Sequence, residues 1–231
     1  MISFFTRYKR LIFAIVVVIF IGSIFFVSGN VFTSSSMDAV AEVGGSKIPY
    51  QRFLTQVNRM LSNVKDSGAE INEAVSRNVK QEVFREMIIE ELLSRQGAKM
   101  GMRVPDFEVA VEVQNTPQFQ ENGAFSPRAY YQTIFNEFQL SPSDYEAWRK
   151  KARLAAKFKQ FIYTSVKVTP EEAKAYYLAR NKELKNFEKE RAGYAEELAR
   201  DKFANITNYL LRQLITQQEV KDYLKLREQG R

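Results

Sequence analysis

The sequence predicts a mainly α-helical protein that begins with a transmembrane helix. An uncharged apolar run, from Leu11 to Val27, stands near the N-terminus, and from Tyr50 onward apolar residues recur every three or four positions almost to the C-terminus. Gly44-Gly45-Ser46 separates two short β-prone runs. We therefore expect a membrane helix, then an all-α domain with a short β-hairpin at its start and a long C-terminal helix that packs back on the core.

The apolar run predicts a membrane anchor over residues 11–32. At about 1.5 Å per residue this segment is long enough to cross a hydrocarbon core. Arg7, Lys9 and Arg10 precede it, and no charge follows until Asp38. The positive-inside rule then keeps residues 1–10 in the cytoplasm and sends the rest of the chain across the membrane.

A cleaved signal peptide is the alternative for this segment. Ala39-Val40-Ala41 has the small-x-small form that a signal peptidase recognises. That site lies well beyond Val27, and the apolar run is longer than the usual core of a signal peptide, which favours the anchor. Both interpretations export the body of the protein.

After a short polar tether over residues 33–38, the exported part begins with the predicted hairpin, Val40 to Ile48. The first helical stripe starts near Tyr50 and ends near Gly68, and a wider stripe runs from Ile71 to Gly97 and Gly101. A shorter helix over 105–115 and a loop over 118–123 follow.

The motif Ser-Pro-x-x-Tyr occurs twice, at Ser126 and at Ser141, and Thr169-Pro170 is a similar hydroxyl-proline pair. A serine or threonine before a proline is suited to cap a helix, because the proline takes the first helical position, where its missing N–H is not needed. Glu172 completes a capping box with Thr169. We interpret all three phrases as helix starts and not as catalytic serines.

The last part of the chain predicts a helix over 142–165 and a helical tract from Thr169 almost to the C-terminus, with a bend near Gly193. The second half of the tract carries an apolar stripe that needs a partner surface: Leu198, Phe203, Ile206, Leu210, Leu214 and Val220. The first helices are the expected partner, so the two ends of the exported part should meet.

Composition excludes most catalytic templates. The chain has no histidine and no cysteine, so the commonest general base, the thiol nucleophile and the best zinc ligands are missing. The net charge is +7, but Arg7, Lys9 and Arg10 precede the apolar run, and the +4 of the remaining chain is mild. Cations and anions alternate along the helical stretches instead of forming a basic stripe. We expect no enzyme activity, no cofactor, no metal site and no nucleic-acid partner.

Four segments in this order carry a resemblance to a known family: VGGSKIPYQRF, NTPQFQENGAFSPRAYYQTI, LSPSDYEAWRK and VKVTPEEAKAYYLARNK. They resemble the N-terminal chaperone region of SurA-like and PpiD-like periplasmic folding factors, over residues 39–182. The anchor is more similar to PpiD than to SurA. Relatives commonly continue after this region into a parvulin prolyl isomerase module, but residues 183–231 look like the family's closing helix, and that module is not expected here.

The resemblance implies an ATP-independent chaperone, a holdase, anchored in the bacterial inner membrane with its main domain in the periplasm. Its partners would be unfolded or nascent exported polypeptides, including outer membrane proteins, near the Sec translocon. The expected client-binding residues are the aromatic side chains of the central segment: Phe119, Phe125, Tyr130, Tyr131, Phe135, Phe138 and Tyr145. The alternative is a noncatalytic envelope scaffold that docks one membrane or translocon partner through its C-terminal stripe.

Overall fold

The structure is a computed structural model that describes residues 39–181 and 183–229. The predicted cytoplasmic tail, the transmembrane anchor over 11–32 and the tether over 33–38 lie outside these residues. Within the two described ranges, no helix combines the length and the apolar character that crossing a membrane requires.

The described chain is mainly helical, with a small β-hairpin at its start, as the sequence predicts. The β-strands are β1 (Ala39–Val43), β2 (Ser46–Pro49), β3 (Gln120–Glu121), β4 (Ala124–Phe125) and β5 (Val220–Asp222). The first α-helices are α1 (Tyr50–Asp66), α2 (Glu73–Lys99), α3 (Asp106–Asn115) and α4 (Pro127–Thr133). A 3-10 turn (Pro117–Phe119) precedes β3, and a π-helical turn (Ile134–Phe138) extends α4. The remaining helices are α5 (Pro142–Ser165), α6 (Pro170–Asn181), α7 (Phe187–Gln217) and α8 (Leu224–Glu228).

The predicted hairpin is part of a three-stranded sheet in the order β2-β1-β5. The C-terminal strand β5 runs antiparallel to β1, with Glu42 opposite Lys221 and Val43 opposite Val220. The sequence-based assignment of Val220 to the last helix is therefore wrong. Gln218 ends α7 with an extended backbone, and the chain turns back to the sheet.

Two further boundaries differ from the predictions. The expected loop over 118–123 contains the end of the 3-10 turn and strand β3, which pairs with β4 through a turn in which Asn122 and Gly123 both have positive φ. The expected bend near Gly193 does not occur there, because Gly193 lies inside α7 and the helical tract breaks between Asn181 and Phe187.

The three predicted helix starts are confirmed. The hydroxyl of Ser126 accepts from the Ala129 N–H at 3.2 Å, and that of Ser141 accepts from the Asp144 N–H at 3.1 Å. Thr169 and Glu172 form the reciprocal capping box at 2.8 and 3.2 Å. The two serines and Thr169 accept hydrogen bonds from backbone N–H groups at the starts of their helices, as the sequence predicts.

The main core lies where the sheet meets α1, α2 and the end of α7. Its buried residues come from both ends of the described chain: Val40, Ala41, Val43, Ile48, Phe53, Val57, Val79, Val83, Met87, Leu92, Leu214 and Leu224. Leu210 and Val220 pack against them. The apolar stripe of the C-terminal helix thus contacts the first helices, and the two ends of the described chain meet in one core.

Helix α5 packs closely against α2 at Gly97. A Cβ on Gly97 would lie 3.3 Å from the Cβ of Phe158, so the small residue allows the two helices to approach. The apolar pattern predicts a helix end near Gly97, but Gly97 lies inside α2. Beside this contact, Leu93, Phe158 and Ile162 form a second buried cluster that Phe203 and Leu211 of α7 complete.

Ion pairs attach α3 to α5. Lys157 and Arg153 donate to Glu108 at 2.6 and 2.9 Å, and Arg149 and Arg153 pair with Glu112. The pKa of Glu108 lies below its ordinary value, chiefly because Lys157 and then Arg153 donate hydrogen bonds to its carboxylate. The alternating charges of these helices therefore pair with one another across the interface.

Candidate functional site

Four of the seven predicted client-binding aromatics are buried in one cluster. Phe119, Tyr130, Phe138 and Tyr145 pack with Trp148 and with aliphatic residues of α3, a set that we call the aromatic cluster. The ring centroids of Phe119 and Tyr130 lie 5.1 Å apart in an edge-to-face arrangement, and those of Phe138 and Tyr145 lie 5.0 Å apart. In this conformation the four rings stabilise the fold and offer little surface to a client.

Tyr130 also forms a side-chain hydrogen bond from its buried position. Its hydroxyl donates to the Glu146 carboxylate at 2.8 Å. The pKa of Tyr130 is raised well above its ordinary value, mainly by burial and then by this hydrogen bond. The phenol therefore links α4 to α5 as a hydrogen-bond donor.

The other three predicted residues reach the surface. Tyr131 is 58% exposed and Phe135 is 75% exposed, whereas Phe125 is half-buried against the aromatic cluster. Phe125 also lines a cavity of about 360 Å³ with Phe107 and Tyr130. The structure thus leaves Tyr131, Phe135 and part of Phe125 available to a ligand from the set that the sequence predicts.

A larger concave surface lies elsewhere, between α2, α7, β5 and α8, with a volume of about 700 Å³. We call it the groove. Its apolar lining combines side chains from segments that are far apart in the chain: Phe84, Ile88, Ile89, Leu211, Ile215, Val220 and Leu224. Ile215 is 48% exposed, so apolar surface remains accessible. A groove of this kind can hold the aliphatic and aromatic side chains of another polypeptide.

Charged side chains also line the groove: Arg77, Lys80, Arg85, Arg212, Lys225, Asp222 and Glu228. Lys80 pairs with Glu228 at 3.1 Å, and the carboxylate of Asp222 accepts from the Leu224 N–H at 2.8 Å. Arg85, Arg212 and Lys225 form no ion pair within residues 39–181 and 183–229. The groove is therefore apolar at its floor and cationic at its rim.

The sequence does not predict this groove. Its lining residues Ile88 and Ile89 lie within the wide apolar stripe that begins at Ile71, and Ile215 lies next to the C-terminal stripe. A helix whose apolar stripe is wider than the core needs indicates a further contact surface. The stripe does not indicate which distant segments of the chain will lie opposite it. The return of β5 and α8 to α2 creates the concavity, and only the fold reveals it.

The C-terminal stripe that the scaffold alternative requires is partly covered. Leu210 and Leu214 pack in the main core, and Phe203 packs beside α5 with its ring 5.4 Å from that of Tyr163. Ile206 remains exposed. Leu214 is therefore not available as a docking surface, whereas Ile206 and, in the groove, Val220 remain accessible.

Comparison with known protein families gives a match over residues 1–159 to the family described as the SurA-like N-terminal domain. No curated protein matches the chain. The matched range ends within α5, so the aromatic cluster and the α2 wall of the groove lie inside it. The groove walls from α7, β5 and α8 lie beyond it.

Proposed function

Because the chain belongs to the SurA-like N-terminal domain family, we propose that it binds unfolded or nascent exported polypeptides and holds them against aggregation. It does this without ATP and without prolyl isomerase activity. The domain is periplasmic, and residues 11–32 tether it to the inner membrane near the Sec translocon, where clients emerge. Tethering raises the local concentration of the chaperone at the point of export.

The observation that carries this proposal is the apolar floor of the groove. An accessible cavity of about 700 Å³, lined by side chains such as Ile88, Leu211 and Ile215, offers burial to apolar side chains of a client. Burial of that kind is non-directional and therefore suits a protein that binds many sequences. Charged side chains around the floor keep the surface soluble and the binding reversible.

Tyr131 and Phe135 provide a second contact surface in this proposal, and Phe125 contributes its exposed part. Phe119, Tyr130, Phe138 and Tyr145 support that surface from beneath, since they are buried in the aromatic cluster. Two separate weak surfaces on one domain hold an extended chain more tightly than either surface alone, provided that the chain can reach both.

Aggregation suppression tests the groove. The purified full chain is mixed with a denatured, aggregation-prone outer membrane protein, and light scattering is followed over time. Ile215→Ser should weaken suppression several-fold, because it places a hydroxyl on the apolar floor. Tyr209→Ser is the matched control, since Tyr209 is an exposed apolar residue of the same helix that does not line the groove. Equal suppression by both variants and the wild type would refute the groove as the client site.

The scaffold alternative makes a different prediction. A scaffold yields one dominant partner in cross-linking from intact cells, whereas a holdase yields many nascent exported chains. Burial of Leu214 and partial burial of Leu210 favour the holdase, because both reduce the apolar stripe through which the scaffold would dock.

A further inference from the structure

The three-stranded sheet has an open edge at β5. The Gly44 N–H donates to the Glu219 carbonyl at 2.9 Å, and the Tyr223 N–H donates to the Val40 carbonyl at 2.9 Å. Backbone groups alternate in direction along a strand, so Val220 and Asp222 point their N–H and C=O groups away from β1. In the described part of the chain, β1 is the one strand that pairs with β5.

The same two residues, Val220 and Asp222, line the groove. The open edge and the apolar floor therefore belong to one surface. A peptide that extends along this edge can form main-chain hydrogen bonds with β5, and every second side chain can point toward the floor. Ile88 and Ile215 lie on that floor.

The rim adds a charge preference. Arg85, Arg212 and Lys225 line the groove and form no ion pair with any described residue, whereas Lys80 is already paired with Glu228. A ligand that brings carboxylates to the rim of the groove gains attraction from these cations. A ligand that brings lysines meets repulsion.

We propose that the groove binds an extended client segment as an additional strand on β5. The segment is apolar at alternate positions, which face the floor, and it carries carboxylates at its ends, which lie beside the rim cations. This inference rests on the proposed function and names the class of client segment that the groove selects. Main-chain hydrogen bonds let the groove accept many sequences, and the rim selects among them by charge.

Binding of designed peptides to the full chain tests the proposal without altering the protein. The probe is a fluorescent peptide that alternates Val and Thr and has two Asp residues at each end. Two backbone N-methylated versions block either the odd or the even positions. One version should bind at least tenfold more weakly and the other within about twofold of the parent, because only alternate N–H groups face β5. Equal binding of both versions would overturn the added strand.

A second set of peptides tests the charge preference. A version with two Lys residues at each end should bind about tenfold more weakly than the Asp version at low salt, and the difference should shrink in 0.5 M salt. In the variant Arg85→Gln/Arg212→Gln/Lys225→Gln, the Asp and Lys versions should bind alike. A Lys version that binds the wild type as tightly as the Asp version would overturn the charge part.

A third peptide, with Gln residues at its ends, separates failure of this inference from failure of the proposed function. If it binds and Ile215→Ser weakens it, but N-methylation has no effect in either register, then the groove is a client site and the added strand is wrong. If no peptide binds at all, both the proposed function of the groove and this inference fail.

Discussion

Arg95 donates a hydrogen bond from Nε to Oε1 of Gln218 at 3.0 Å and so joins α2 to the residue that follows α7. The same guanidinium group lies against the turn of the first hairpin, where a Cβ added to Gly44 would be 2.8 Å from Nη2. Gly44 in turn donates its N–H to Glu219. One side chain therefore fixes the hairpin, α2 and the start of β5 relative to one another.

We predict that the cost of Gly44→Ala depends on Arg95. The added methyl group displaces the guanidinium and weakens its bond to Gln218, which removes about 0.5–1.5 kcal/mol from the free energy of unfolding. In an Arg95→Ala background this part of the cost should disappear. Urea unfolding of the four proteins of the double-mutant cycle measures the coupling.

Gly45→Ala is the control for this cycle. Gly45 also has positive φ, but a Cβ there would contact no other part of the described protein within 4 Å. Its cost comes from backbone strain alone and should be the same with and without Arg95. An equal coupling for both glycines would contradict the packing explanation.

Because the two ends of the described chain pack in one core, we predict that substitution of Leu214 strongly destabilises the fold. This residue is 3% exposed and packs in the main core. Leu214→Ala should lower the free energy of unfolding by about 2–5 kcal/mol, because it leaves a cavity between α7 and the first helices. Ile206→Ala, at an exposed position of the same helix, should cost well under half as much. Chemical denaturation measures both losses. Similar small losses for the two variants would indicate that the C-terminal helix does not pack in the main core.

Helix starts and apolar stripes could be predicted because their signals are local. Ser126, Ser141 and Thr169 satisfy the first N–H groups of the helices that they precede, and these contacts span three residues. The sequence does not predict the break between Asn181 and Phe187, because Gly193 carries the conventional signal for a bend. Gly193 lies inside α7, and no close packing requires a glycine there, because a Cβ would contact nothing within 4 Å.

The candidate site was predicted only in part because its members come together through tertiary contacts. Strand β5 has three residues, and Val220 continued a helical pattern in sequence, so pairing with β1 overrode the local preference. The aromatic segment was recognised, but the sequence could not tell Phe119, which is fully buried, from Phe135, which is exposed. Both belong to helical or turn segments with similar neighbours.

This contrast between Phe119 and Phe135 is testable through stability. Phe119→Ala removes a ring that contacts Tyr130 and Tyr145 and should cost about 3–5 kcal/mol. Phe135→Ala should change the free energy of unfolding by less than about 0.5 kcal/mol, because its ring is largely in solvent. Thermal or urea unfolding of the two variants provides the measurement, and similar losses would contradict the assignment of the two rings.

Exposure of Tyr131 and Phe135 leads to a functional prediction. The double variant Tyr131→Ser/Phe135→Ser should suppress client aggregation about twofold to fivefold less well, while its unfolding midpoint stays near that of the wild type. The loss should add to that of Ile215→Ser, since the two surfaces act on the same client chain. Exposed Val111 on α3, changed to Ser, controls for general loss of apolar surface. Unchanged suppression by the double variant would restrict client binding to the groove.

The ion pairs between α3 and α5 make part of the protein's stability depend on pH. Lys157 and Arg153 lower the pKa of Glu108 in the folded protein below its ordinary value of 4.5. As the pH falls, Glu108 is therefore protonated at a higher pH in the unfolded chain than in the folded protein. The resulting stabilisation is fully present above about pH 4.5 and is lost as the pH falls through the folded-state pKa.

Glu108→Gln should therefore lower the unfolding temperature at pH 7 and flatten its dependence on pH. The wild-type and variant curves should converge as the pH is lowered from 6 to 3, because protonation removes from the wild type the same ion pairs that the substitution removes at every pH. Glu86→Gln is the control, since Glu86 is exposed on α2 and forms no ion pair within the described ranges. Its curve should follow the wild type throughout, and parallel curves for wild type and Glu108→Gln would show that Glu108 does not contribute through its charge.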